Sequence, residues 1–282
     1  CVEKIKLYRR NALSPIDTSI TFDITLNTIF IYTDSGRLCR PILYKAEKSK
    51  LSIEQGDIMK EFIKNNNYNW EDCVCGFNNK RDNVGFNMNH SNIYELNELY
   101  VGIESETNPS KLERFLKKKA IIDYIDSSES ENTLIALNYE DFSKENTNYT
   151  HMEIHNSLIL GTLCNQVIFP ENNPPTRNAF SCGQSKQACS IYHSNYQVRM
   201  DKSAIILNNG QIPLVKSRYL EYINKEEMPY GENAIVAIMT YGGYNMEDSI
   251  LINEGSINRG LFNTTYYNTY EIHEEINETS NG

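Results

Sequence analysis

Three things are scarce in this 282-residue chain. It has no apolar run long enough to span a bilayer, no signal-like opening segment, and no excess of positive charge. The first two absences argue against a membrane partner. The third bears on nucleic acid: 27 Lys and Arg face 37 Asp and Glu, a net charge of −10. A free-standing nucleic-acid binder normally shows a basic stripe, so such a role would need a few cations gathered on one face. Cysteine is also used sparingly. The seven are odd in number and irregularly spaced, which suggests reduced thiols in an intracellular protein. Cys73-Val74-Cys75 is the only close pair and has no matching downstream pair, so no zinc is expected.

What is present supports folded structure. Hydrophobic residues make up 40% of the chain, enough for one large or two ordinary cores. The 35 asparagines, with abundant Ile, Lys and Tyr, suggest an A/T-rich genome, as in a large DNA virus of eukaryotes or a protist. Ile20–Ile24 and Thr28–Tyr32 alternate as strands, Asp34-Ser35-Gly36 reads as a turn, and Arg40–Tyr44 as a further strand. Residues 59–100 are polar and poorly patterned, with Trp70 as a local anchor. Ser110-Lys111-Leu112-Glu113 is a capping box that predicts a helix to about Ala120, with Lys117–Lys119 on its solvated face. Ile121–Ile125 and Thr133–Leu137 read as two strands joined by an acidic turn, Asp126–Asn132. Asp141–Asn148 is a plausible boundary.

The stretch with most chemical content runs from Gly242 to Asn253. Glu247 and Asp248 stand in a turn between two apolar runs, Ala234–Tyr241, which reads as a buried strand, and Ile250–Ile252, which reads as re-entering the core. Gly242 and Gly243 permit positive φ there. Neighbouring carboxylates held by a turn suit a hard divalent cation such as Mg2+, which takes oxygen ligands and keeps substrate phosphates in its shell. The plainer reading is that Asp248 or Ser249 caps a following element while Glu247 sits in solvent. His151, Glu153 and His155 would share one face of a strand and invite a metal reading of their own. They lack the i,i+4 histidines of the helical metalloprotease motif.

Six blocks in order carry a resemblance. They are Thr33–Pro41, Tyr149–His155 with Leu158–Gly161, Pro174-Pro175-Thr176-Arg177-Asn178 with Lys186-Gln187-Ala188, Tyr196–Asp201, Gly243-Tyr244-Asn245-Met246-Glu247-Asp248-Ser249, and Ile257–Phe262. Together the chain resembles the second-largest subunit of multisubunit DNA-directed RNA polymerases, called β in bacteria, most closely in its eukaryotic, archaeal and large-DNA-virus branch. The family's subunits are several times longer, so the chain reads as an internal fragment. One departure is Gln184-Ser185, where the family usually has Met-Gly.

The resemblance implies a mixed α/β, β-rich fold. Residues 1–147 would be outer β-rich lobe with the helix near 110–120. Residues 148–282 would be the N-terminal part of the hybrid-binding domain, carrying an incomplete double-psi β-barrel. It implies DNA-templated RNA synthesis by nucleotidyl transfer. Glu247 and Asp248 would help place a second Mg2+, shared with the largest subunit, which holds most of the metal. Arg177, after its two prolines, would present a forked guanidinium from a loop to the incoming triphosphate. Lys186 and Gln187 would lie near the RNA–DNA hybrid. Arg199 would contact nucleic-acid backbone or form an internal ion pair. Implied partners are the largest and other polymerase subunits, template DNA, nascent RNA and nucleoside triphosphates, within the nucleus or cytoplasm of a eukaryotic host or a viral factory. The fragment alone is expected to be inactive. Rival readings are a non-catalytic nucleic-acid-binding scaffold of the same architecture, and a metal hydrolase built on His151, Glu153 and His155.

Overall fold

The computed structural model describes residues 1–34, 37–47, 50–52, 70–75, 119–144, 147–193, 195–223 and 228–274. Helix α1 (Val2–Arg10) places Arg9 and Arg10 in its last turn, where cations favour the carbonyl end of the helix dipole. Strands β1 (Ser19–Asp23) and β2 (Thr28–Tyr32) form an antiparallel hairpin running from the Ser19–Tyr32 pair to the Asp23–Thr28 pair. Its tip is closed by the Asp23 carboxylate, which accepts from the backbone N–H of Thr25 and Leu26 at 2.8 and 3.2 Å, with Asn27 left-handed at φ 50°. The expected turn at Asp34-Ser35-Gly36 lies partly outside the described residues.

Strand β3 (Arg40–Glu47) organises the main sheet. It pairs antiparallel with β4 (Lys50–Leu51), β5 (Ile122–Ile125) and β7 (His151–Met152), and β7 pairs parallel with β6 (Ile135–Ala136). The sheet thus recruits β7 from beyond residue 147, and Tyr149 and Met152 pack on the same core. That core gathers Cys39, Leu43, Leu51, Ile122, Tyr124 and Phe142 with Cys73 and Val74 of helix α2 (Trp70–Cys75). Trp70 anchors as expected: its Nε1–H donates to the Tyr124 hydroxyl at 3.2 Å and its ring lies 4.6 Å from that of Tyr222. Burial pushes the Cys39 thiol up to about 12, which leaves it inert at neutral pH.

The two strands expected at Ile121–Ile125 and Thr133–Leu137 both exist in shortened form, but they do not pair with each other. The segment between them is a helix, α3 (Ser127–Glu131), rather than a turn. Asp126 is its N-cap and accepts from Glu129 N–H at 2.9 Å. Asp123, Asp126 and Glu129 face inward, against arginines, while Glu131 is exposed. Arg9 forks onto Glu129 at 2.7 and 3.0 Å, and Arg10 onto Asp123 at 2.6 and 2.9 Å. Arg37 meets Asp126 at 2.9 Å, and the Arg10 guanidinium also lies 3.7 Å over the Tyr44 ring. Burial alone would raise the pKa of Asp123; the Arg10 and Arg9 charges outweigh it and hold the carboxyl far below the usual carboxylate range. Helix α4 (Tyr139–Phe142) follows, capped by Asn138. The helix predicted near 110–120 lies outside the described residues except at its end, where Ala120 N–H donates to Arg10 O at 2.6 Å.

Beyond Met152 the elements are short and well separated: α5 (Gly161–Cys164), α6 (Pro175–Ser185), β8 (Ser203–Leu207), α7 (Glu254–Asn258) and β9 (Thr264–Asn268). β8 and β9 pair antiparallel across some sixty intervening residues. The apolar segment Ala234–Tyr241 is not a buried strand. Ile235 and Ile238 are fully exposed, and no strand among the described residues pairs with it. Ile250–Ile252 likewise stay at the surface instead of entering a core. Apolar patterning reported what these segments can bury against, and that cover is not supplied by the described residues.

Candidate nucleotide-binding turn

The turn from Tyr241 to Ser249 is set by local chemistry. Gly242 and Gly243 are left-handed at φ 58° and 80°, conformations that L side chains rarely adopt. Glu247 is also left-handed, at φ 54°. A non-glycine residue there costs about 1–2 kcal/mol, and such strain tends to persist where a site uses it. The Asn245 amide spans the base of the turn, accepting from Tyr241 N–H at 2.9 Å and donating to Met239 O. Ser249 closes the far side through its N–H and hydroxyl, both donating to Met246 O. Neither Asp248 nor Ser249 caps a following element as the plainer reading expects: Ser249 bonds back to Met246 O, and Asn253 is the N-cap of α7, accepting from Ser256 N–H at 3.0 Å.

Glu247 and Asp248 are both exposed, and neither forms a side-chain hydrogen bond or ion pair with a described residue. Their oxygens are thus hard donors that the fold has not used. No group of three or more potential ligands occurs among the described residues. Carboxylate oxygens are the donor type Mg2+ takes, with further positions left to groups from outside.

Arg177 is in the first turn of α6, not in a loop. Pro174 and Pro175 occupy the N-cap and N1 positions, where a missing N–H costs nothing and the fixed φ starts the helix. The first turn carries no acidic residue, but with proline at N-cap and N1 and the Arg177 N–H donated to Pro174 O at 3.0 Å, the guanidinium is the main anion-attracting group there. The side chain is exposed, with its guanidinium carbon 5.6 Å from the Phe180 ring centre. Lys186 is the C-cap of the same helix and Gln187 follows it, both exposed. Nine residues at about 1.5 Å each put them roughly 14 Å from Arg177, so the helix separates these candidates. Gln184 and Ser185 are helical, so this backbone needs no glycine at the point where the sequence departs from Met-Gly.

Arg199 takes the ion-pair alternative. It forks onto Asp201 at 2.9 and 3.1 Å and lies 3.7 Å from Asp34, while its bond and that of the Tyr192 hydroxyl hold the Asp201 carboxyl down at about 2. His193 joins Asp34 at 3.1 Å, tying this block to the end of the β2 segment. His151, Glu153 and His155 do not converge. Buried His151 meets Thr150 Oγ1 at 2.9 Å, Glu153 pairs with Arg40, and His155 Nδ1 accepts from Ser157 N–H at 3.1 Å. The strand ends at Met152, which removes the shared face that the hydrolase reading needed.

Sequence reasoning missed the short helix at Ser127–Glu131, although its signal was present in the spacing of Asp126-Ser127-Ser128-Glu129, and it missed the buried arginine–carboxylate network, which has no local signal.

Two family models match the chain: RNA polymerase Rpb2, domain 4, over residues 1–45, and RNA polymerase Rpb2, domain 6, over residues 163–282. The RNA polymerase II subunit RPB2 of Encephalitozoon cuniculi is 33% identical over 98% of this chain and 21% of the relative. RPB2 of Schizosaccharomyces pombe is 33% identical over 97% of the chain and 22% of the relative. The DNA-directed RNA polymerase subunit Rpo2 of Sulfolobus acidocaldarius is 32% identical over 96% and 20%. The chain spans about a fifth of the length of these curated relatives. On the two domain models and this near-complete coverage, the chain belongs to the Rpb2 family, the second-largest subunits of DNA-directed RNA polymerases.

Proposed function

We propose that this chain contributes to DNA-templated RNA synthesis as part of a multisubunit polymerase, acting inside the cell beside a largest subunit. In that reaction an RNA 3′-hydroxyl attacks the α-phosphate of a nucleoside triphosphate and pyrophosphate leaves. Residues from 148 on would form part of a hybrid-binding domain with a double-psi β-barrel, completed by groups outside the described residues. Glu247 and Asp248 would hold one sector of a Mg2+ shell whose remainder comes from the triphosphate and the partner subunit. When bound, the ion would supply charge stabilisation at the attacking and leaving oxygens. Arg177 would face the triphosphate, and its permanently charged fork suits the growing charge on the leaving pyrophosphate. Lys186 and Gln187, at the other end of α6, would lie along the RNA–DNA hybrid. Arg199, engaged with Asp201 and Asp34, would shape that surface more than touch backbone phosphate.

The observation that carries this reading is the pair of adjacent, exposed, unengaged carboxylates on a turn whose backbone is left-handed at Glu247. In the assembled polymerase, Asp248→Ala should lower elongation by roughly a hundredfold, the scale of losing one electrostatic stabiliser of a transition state. Subunit assembly should be unchanged, because Asp248 is exposed and supports no neighbour. Near-normal elongation would contradict the reading and favour a non-catalytic nucleic-acid-binding scaffold.

A further inference from the structure

We infer that Asn245 is a positioning residue for the metal-binding carboxylates; this rests on the reading of Glu247 and Asp248 just given. Both ends of one amide are spent on the segment that enters the turn. Oδ1 accepts from Tyr241 N–H at 2.9 Å and Nδ2 donates to Met239 O. The bonds reach four and six residues back, across the two left-handed glycines. They fix where the chain re-emerges just before Met246, Glu247 and Asp248. No other side chain among the described residues braces this side of the turn, since Ser249 bonds only forward of it, to Met246 O.

The need for a brace follows from exposure and strain. Tyr241, Gly242, Gly243, Tyr244 and Met246 are all exposed, so packing does not hold the loop. Glu247 has a backbone conformation that an unsupported loop would leave. Carboxylates that must meet an ion with strict octahedral geometry need their backbone fixed in advance, or ordering costs affinity. A side chain with one donor and one acceptor at fixed spacing does this. Asp would lose the donor and Ala both groups.

The test uses Mn2+ as the probe on the whole chain, with binding read from paramagnetic broadening of the Glu247 and Asp248 amide signals. Asn245→Ala should weaken Mn2+ at the turn by about fivefold, the scale of one net hydrogen bond, and should speed hydrogen exchange at the Tyr241 amide. Asn245→Gln, which keeps both groups on a longer arm, should recover part of each effect. In a Glu247→Ala/Asp248→Ala background, adding Asn245→Ala should change the residual Mn2+ binding no further, because the residue acts through those carboxylates. Broadening in the parent chain that Asn245→Ala leaves unchanged would overturn the role of Asn245 alone. A parent chain showing no Mn2+ effect at this turn would overturn both the brace and the site it serves.

Discussion

Two regions of this molecule treat their isoleucines differently, Ile24 and Ile31 of the β1–β2 hairpin excepted. Ile20, Ile42, Ile122 and Ile125 are almost fully buried, whereas Ile235, Ile238, Ile250 and Ile272 are exposed at 105, 98, 82 and 93%. The same division runs through the other apolar residues. After Met152 only Ile206, Leu207, Leu220 and Ile223 are buried hydrophobics among the described residues, while Leu214, Val215, Val236, Met246 and Leu251 stand in the open. Buried charge follows the first region: Arg9, Arg10, Asp123, Asp126 and Glu129 are drawn inside, and beyond Met152 only Glu153, paired with Arg40, is a buried carboxylate among the described residues. The first region therefore carries its own reasons to fold. The second leaves many large apolar side chains open, and the described residues do not supply their cover. Its candidate chemistry at Glu247, Asp248 and Arg177 lies on that open part.

If that contrast is right, substitutions in the two regions should fail differently. The largest stability effect belongs to Asp123→Ala. It takes away the buried carboxylate 2.6 Å from Arg10, leaving only exposed Glu3 at 3.8 Å and the Tyr44 ring, and should cost about 3–5 kcal/mol, read as a fall in the urea midpoint of the chain. A loss under 1 kcal/mol would mean that the network adds little to the first region.

Acid should act on the same region. Burial, together with the nearby Lys6 and Arg10 charges, depresses His151 to about 4 despite the attraction of Asp123. The unfolded chain therefore takes up that proton first as pH falls. The stability due to His151 is full above pH 6.5 and is lost between there and about 4, a difference on the order of 3 kcal/mol. Asp123, with its lowered pKa, adds a further loss once pH falls below the ordinary carboxylate range. Denaturant midpoints measured from pH 7 to 4 should show this slope, and His151→Gln should flatten its upper part.

The smallest of these effects is kinetic and falls in the open region. Arg177→Ala should raise the half-saturating nucleotide concentration or lower the maximal elongation rate by about tenfold, the worth of one charge-assisted contact. Its urea midpoint should stay within about 0.5 kcal/mol of the parent, as for other surface changes. A shifted midpoint with normal kinetics would return Arg177 to a structural role.

What could be read in advance follows the same division. The strands at 19–23, 28–32 and 40–47 were legible from their β-branched and aromatic residues, although β1 and β3 bury successive residues instead of alternate ones and β2 stays at the surface. Ala234–Tyr241 misled because an apolar run states a demand for cover without saying who supplies it. The acidic segment at 126–132 misled because arginines 89 and 120 residues away, Arg37 at Asp126 and Arg9 at Glu129, decide its environment, and no local pattern reports them. Arg177 was found by motif, but its place on a helix follows from proline at N1, a signal available in the sequence. The turn at Glu247 was located by its glycines and acids. Its bracing by Asn245 depends on backbone geometry that spacing does not encode.

Iron-directed cleavage tests the central claim most directly. With Fe2+ in place of Mg2+ in the assembled polymerase, peroxide and ascorbate generate radicals that cut backbone beside the bound ion. The account predicts cleavage within Gly242–Ser249 that strengthens when a nucleoside triphosphate is added and is lost in Glu247→Ala/Asp248→Ala. Cleavage elsewhere with this turn intact, at saturating triphosphate, would contradict it.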